Sequence, residues 1–273
     1  NAICWVGKSR AVGGGGRTGV LLRGAAGRRG CAVQSAAQAM PDITIVAGVD
    51  RAPFKGSALP VFHGLSACGI PADVLVEFSS PQAVAAALPI CIERGLPCVL
   101  CTTGLSPAQQ AAVEEASAQI PVFQSANMSL GVAVLARASR LAAKLLPPVC
   151  DIEIIEKHHR GKRDAPSGTA LQLAHAVGGA FPPAALLFGR GPASGPRGRE
   201  IGIHAVRGGG IVGEHEILFC CEHETLSFSH SALSRIGFAQ GALAAAAWLT
   251  RQNHGLYTME DMLDDIQEFK KTP

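Results

Sequence analysis

Short apolar runs and Ala-rich or amphipathic stretches take turns along the first half of the chain. Val20, Leu21 and Leu22 form one run, an Ala-rich stretch to about Met40 comes next, and a second run spans residues 43–49. Residues 73–78 read as a strand, 81–88 as a helix, and 98–101 as a strand leading into Thr102, Thr103 and Gly104. Ser106 and Pro107 then open a helix through Ala118, and residues 121–124 make a short strand ending at Ser125, Ala126, Asn127 and Met128. This rhythm predicts an α/β fold: a parallel sheet with right-handed crossovers, its ligand gathered by loops at the strand C-termini.

Past residue 200 the period changes to alternation. Residues 201–207, 211–221 and 224–230 read as strands of an antiparallel or mixed sheet, with a turn at 208–210. A Gly/Pro/Ser-rich loop precedes them at 189–199. An Ala-rich helix (about 234–250) and a short acidic one (258–269) close the chain.

Glycines decide where a phosphate could sit. Gly14, Gly16 and Gly19 satisfy G-x-G-x-x-G, but the run before them is a poor strand, and a strand rather than a helix comes after them. The better cradle is Gly24, Ala25, Ala26, Gly27, Arg28, Arg29 and Gly30, between the strand at 20–22 and the helix after it. The next strand ends at Asp50, about 20 residues on, where an acidic residue would meet a ribose 2′-hydroxyl; Arg51 beside it could receive a 2′-phosphate. Cys101, Thr102, Thr103 and residues 125–128 fall at equivalent strand ends.

Composition narrows the classes. With 273 residues, 48% hydrophobic and 16% charged, the chain can bury a sizeable core and is expected to form two domains. A net charge of +3 and 5% aromatics give nucleic-acid binding little support, and no apolar run is long enough to span a membrane. Nine cysteines in apolar contexts fit reduced thiols in a cytosolic protein. Cys98 and Cys101 sit in one strand and face opposite sides, and Cys220 and Cys221 are read the same way. Glu214, His215 and Glu216 lie on a strand and lack the helical spacing of a zinc site, so no metal is expected. Residues 1–18, basic and free of acidic residues, read as a disordered leader or a cloning remnant.

The chemistry concentrates in residues 156–170, EKHHRGKRDAPSGTA. Alone, a His-His pair is more often a surface feature, and Arg160, Lys162 and Arg163 a solvated basic turn. Here they precede a helix start. Pro166 suits a first helical turn, and Asp164 and Ser167 are cap-forming types. The amides near Gly168 and Thr169 would then favour an anion. Groups able to move protons thus stand beside a carboxylate or phosphate site.

This segment resembles the signature of the 4-hydroxy-tetrahydrodipicolinate reductase family, formerly dihydrodipicolinate reductase, and the likeness extends over residues 19 to 265. It implies a Rossmann-type domain (19–129 and 236–273) and an α+β substrate-binding and tetramerisation domain with an open mixed sheet (130–235). It also implies a cytoplasmic homotetramer and reduction of a cyclic dicarboxylate imine by NADH or NADPH. His158 would be the proton donor and acceptor and Lys162 the second donor. His159, Gly168 and Thr169 would hold substrate. Gly24, Ala25, Ala26, Gly27, Arg28, Arg29, Asp50, Arg51, Cys101, Thr102, Thr103, Ser125, Ala126, Asn127 and Met128 would line the dinucleotide. From the residues alone, His158 and His159 could exchange roles.

Overall fold

The computed structural model describes residues 16–51, 59–146, 149–180 and 184–269. The leader expected over residues 1–18 lies outside these up to residue 15. Two compact units emerge: the described residues up to Ser129 with those from Ile236 onward, and Leu130–Arg235.

The first unit opens with β1 (Thr18–Arg23), α1 (Arg28–Gln38), β2 (Ile43–Val49), β3 (Val61–Phe62), β4 (Val74–Glu77), α2 (Pro81–Glu93), β5 (Cys98–Leu100), α3 (Pro107–Ser117) and β6 (Pro121–Gln124). Gly19 lies inside β1, so the G-x-G-x-x-G whose first two residues fall outside the described ones ends within a strand. Capping accords with the residue types. Ser80 and Ser106 accept amide protons from Ala83 and Gln109, each succeeded by proline at the first helical position. The α2 helix continues through Pro89 to Glu93, beyond the expected end at Leu88, with Leu88 and Cys91 both buried.

The second unit contains α4 (Leu130–Leu145), β7 (Asp151–His158), α5 (Gly168–Gly178), β8 (Ala185–Phe188), β9 (Glu200–Arg207), β10 (Glu214–Cys220) and β11 (Thr225–Ser231). Its sheet runs β11-β10-β7-β9-β8, antiparallel at β11-β10-β7 and parallel at β7-β9-β8. One face is packed by α4 and α5: Leu135, Ile152, Ile154, Leu173, Val177, Ile201, Ile217 and Phe219 share one core. Fully burying each such side chain is worth about 1.5–3 kcal/mol. Burial alternates strictly along β7, so Ile152, Ile154, Glu156 and His158 share the packed face.

One expectation fails at the far end of this sheet. Cys150 and Cys221 form a disulfide, with Cα atoms 4.3 Å apart. They stand one position beyond the last paired residues of β7 and β10, Asp151 and Cys220. Direct cross-strand neighbours come that close, which spacing along the chain could not reveal.

The chain returns to the first unit with α6 (Ile236–Leu249), β12 (Gly255–Tyr257) and α7 (Met259–Phe269). All seven strands of that sheet are parallel, in the order β3-β2-β1-β4-β5-β6-β12. The α6 helix packs beside α1 and across β4 and β5, with Trp248 edge-on to Phe123 of β6. The chain steps outward from β1 to β3, then crosses to β4 on the other side of β1. That reversal opens a crevice at the C-terminal ends of β1 and β4.

Candidate active site

The residues expected to line a dinucleotide lie at or just beyond the C-terminal ends of strands in the first sheet, except Arg28 and Arg29, which open α1. Gly24 turns the chain after β1 at φ +79°, a conformation glycine adopts without strain. Its Cα faces the Phe78 backbone after β4, where an added Cβ would come to 3.3 Å. Gly30 allows α1 to sit on that turn: a Cβ there would stand 2.2 Å from the Gly24 carbonyl oxygen. The Ala26 amide donates to Asp50 Oδ2 at 3.0 Å and the Arg51 amide to Asp50 Oδ1 at 2.7 Å, tying the end of β2 to the turn.

The start of α1 is built for an anion. Gly27 is its N-cap and supplies no side chain, no acidic residue occupies the first turn, and exposed Arg28 and Arg29 do. Two cations at the positive end of a helix dipole oppose each other and the dipole; a phosphate there relieves both. Cys101, Thr102 and Thr103 come after β5, and the Cys101 amide donates to Glu77 O at 3.0 Å. The Thr102 hydroxyl is buried with no hydrogen-bond partner, and a bound group offering one would satisfy it. Burial pushes the Cys101 thiol up, so it stays protonated. Ser125, Ala126, Asn127 and Met128 come after β6 in a self-bonded turn, with Ser125 Oγ donating to Asn127 O at 2.7 Å. These residues fit a dinucleotide. Sequence reasoning omitted Phe78 and Ser79, which flank Gly24 across the crevice; the end of the strand read at 73–78 was their only signal.

In the second unit the packed face turns polar where β7 ends. His158 is buried, and its Nδ1 lies 2.5 Å from Glu156 Oε2. Glu156, fully buried, also accepts from Arg207 Nη1 (2.8 Å), Arg207 Nη2 (2.7 Å) and the Ser167 amide (2.9 Å). Burial works against its ionisation, yet these donors hold the carboxyl below its ordinary range. Burial lowers His158 in turn, against the pull of Glu156 and with Lys162 and Arg207 opposing a further charge, so it is neutral at pH 7. His159 is partly exposed in the next turn, closed by the Lys162 amide donating to His159 O at 3.0 Å. Of the two imidazoles, only His158 is locked by a carboxylate.

The helix start differs from expectation by one turn position. Ser167 is the N-cap of α5, its Oγ accepting from the Ala170 amide at 3.1 Å, and Pro166 lies before the helix. Gly168 and Thr169 are therefore the first two helical residues. Asp164 caps nothing; its carboxylate takes both hydrogen bonds from Lys162 Nζ at 2.8 Å, and Lys162 holds it below its usual range. With Asp164 more than half exposed this ion pair is weak, and a substrate carboxylate could displace it. His215 of β10 stands opposite Glu156 in the ladder, its Nε2 3.3 Å from Ser167 Oγ. Glu156 and Ser167 lay in the expected segment without a catalytic or binding role, and Arg207 and His215 were absent from the expected site.

A parallel sheet of this order, joined to a second unit with a mixed sheet, is the architecture of two-unit dehydrogenases and reductases. Within that class the chain belongs to the dihydrodipicolinate reductase family: residues 18–128 match the model of its N-terminal part and residues 131–263 that of its C-terminal part. It is 45% identical over 246 residues to the 4-hydroxy-tetrahydrodipicolinate reductase of Caldanaerobacter subterraneus subsp. tengcongensis, covering 89% of this chain and 97% of that one. The enzyme of that name from Rubrobacter xylanophilus is 43% identical over 258 residues, with the same shares covered. Among solved structures, dipicolinate-bound dihydrodipicolinate reductase from Paenisporosarcina sp. TG-14 matches with a TM-score of 0.75 at 25% identity, over 89% of this chain and 97% of that one. A myo-inositol dehydrogenase from Corynebacterium glutamicum shares the fold (TM-score 0.59, 17% identity, 92% and 94% covered). The chain is an oxidoreductase of the reductase family.

Proposed function

We propose that this enzyme reduces 4-hydroxy-tetrahydrodipicolinate to tetrahydrodipicolinate with loss of water, in the diaminopimelate route to lysine. Substrate, reduced nicotinamide dinucleotide and one proton become product, oxidised dinucleotide and water. The observation that carries the reading is the end of β7, where a carboxylate-held imidazole stands close to the amide-lined start of α5. Family membership then names the substrate.

A reduced nicotinamide supplies the hydride when bound to the first unit. The chain's own residues do the rest. One substrate carboxylate rests on the Gly168 and Thr169 amides, where the α5 dipole favours negative charge. The other meets His159 and Lys162 once Lys162 leaves Asp164, with Arg160 adding positive charge. His158, neutral and with Nδ1 committed to Glu156, exchanges a proton at Nε2. Lys162 donates the second proton. A homotetramer would bury the face of the second sheet opposite α4 and α5, where Ile155, Leu187, Leu218 and Val206 lie.

Asp50 accepts a ribose 2′-hydroxyl and Arg51 receives a 2′-phosphate, so both NADH and NADPH are used. Steady-state kinetics with the cyclic imine made in situ by the synthase, run with each cofactor, test both parts. Turnover with both cofactors is expected. No turnover with either overturns the function, and a thousandfold preference either way overturns the dual use.

A further inference from the structure

Beyond His158 and Lys162, one side chain at the end of β7 has more partners than any reaction step requires. We infer that Glu156 is a positioning residue that fixes His158 in its Nδ1–H tautomer and ties that imidazole to the carboxylate-binding start of α5. The inference rests on the reading of His158 as the proton-moving group and says how the fold aims it.

Each Glu156 oxygen accepts two hydrogen bonds. Oε2 takes His158 Nδ1 and Arg207 Nη1; Oε1 takes Arg207 Nη2 and the Ser167 amide. A fully buried carboxylate with a guanidinium and an amide on it is ionised and can only accept. The proton of neutral His158 must therefore sit on Nδ1, leaving the Nε2 lone pair for chemistry. Nε2 faces Gly213, where an added Cβ would come to 3.0 Å.

Arg207 completes the device. Its charge balances that of Glu156, so the imidazole is oriented without being forced into the imidazolium form. Its Nη2 also donates to Asp164 O at 2.6 Å. Asp164 is held by Arg207 and Ser167 by Glu156, so the loop from the Lys162 partner to the helix cap is pinned at both ends. Proton carrier and anion anchor thus share one buried carboxylate. The other charged or titratable groups acting on His158 are Lys162 and, from β10, His215.

The test combines nitrogen NMR with kinetics. In wild-type protein labelled with 15N-histidine, the His158 signals (assigned by their loss in His158→Gln) should show protonated Nδ1 and bare Nε2 at neutral pH. Glu156→Gln places an NH₂ where Oε2 accepted and should shift the population toward Nε2–H. Its kcat should fall about a hundredfold or more, with little change in the dinucleotide KM, because an imidazole in the wrong tautomer is a poor proton carrier. Glu156→Asp should recover part of that loss, and the acid limb of the kcat–pH profile should move in Glu156→Gln. In the double variant Glu156→Gln/His158→Gln the first change should add nothing. A wild-type Nε2–H tautomer overturns the inference, including where Glu156→Gln does not fold, and so does a full additive loss in the double variant. Wild-type turnover in His158→Gln would instead sink the proton-transfer reading, leaving the tautomer to be decided by the NMR.

Discussion

The rings of His158 and His215 stand edge to face with centroids 5.2 Å apart, at the polar end of an otherwise apolar sheet face. His215 is buried, and burial with His158 beside it pushes its pKa down to about 4 from an ordinary 6.5. Between those values the unfolded chain binds a proton that the folded protein refuses. Stability from this group is therefore complete above about pH 6.5 and falls as pH drops toward 4. The gap corresponds to ~3 kcal/mol. His158 and His230, also lowered by burial, act in the same direction. Denaturant unfolding at pH 7 and pH 4.5 should show His215→Gln losing about 2–3 kcal/mol less than wild type over that interval; equal losses would contradict the buried neutral imidazole.

A substitution at Gly168 separates the helix from its anion site. Proline is well suited to the first helical position, and Ser167 already has the extended backbone (φ −67°, ψ 151°) that a proline after it demands. Gly168→Pro should leave Tm within about 2 °C of wild type while deleting one N–H. Losing one hydrogen bond to a charged group costs about 1.5–3 kcal/mol, so the substrate KM should rise roughly tenfold to a hundredfold. An unchanged KM in a folded variant would remove Gly168 from substrate binding.

Gly30→Ala should damage the dinucleotide unit from within. Its Cβ would lie 2.2 Å from Gly24 O and 2.6 Å from Ala25 O, backbone atoms that cannot step aside alone. A loss of about 2 kcal/mol is expected, a fall in Tm of roughly 5 °C, with weaker binding of NADH. Gly191→Ala, where an added Cβ meets nothing within 4 Å, serves as the neutral control. Equal Tm values for the two variants would show that the turn after β1 yields easily.

Five strands of the first sheet were legible because each is a short apolar run, and the glycine turn because it stands between a strand and a helix; β3 and β12, two and three residues long, carry too little pattern to be read. Residues 130–158 were not legible either. In β7 the pattern Ile154-Ile155-Glu156 puts an isoleucine on the outer face and a carboxylate on the inner one, which breaks the alternation that marks a half-buried strand. What makes a buried Glu156 stable is Arg207, 51 residues away, and no local pattern announces that partner. The same holds for Cys150 and Cys221, separated by 71 residues and brought together by the β7–β10 ladder. His215 was legible as a strand residue but was given no role; its place beside Glu156 comes from cross-strand register alone. That His158, and not its neighbour His159, meets a carboxylate also needed the fold, because only burial on the β7 face brings the Glu156 carboxylate to an imidazole.

Proton transfer by His158 and Lys162 is the central claim, and single-turnover consumption of NADH with the synthase-made imine tests it most directly. His158→Gln and Lys162→Ala should each slow that step about a hundredfold or more while both variants still bind NADH as wild type does. Undiminished turnover in both variants would contradict the assignment and return the site to another pair of residues.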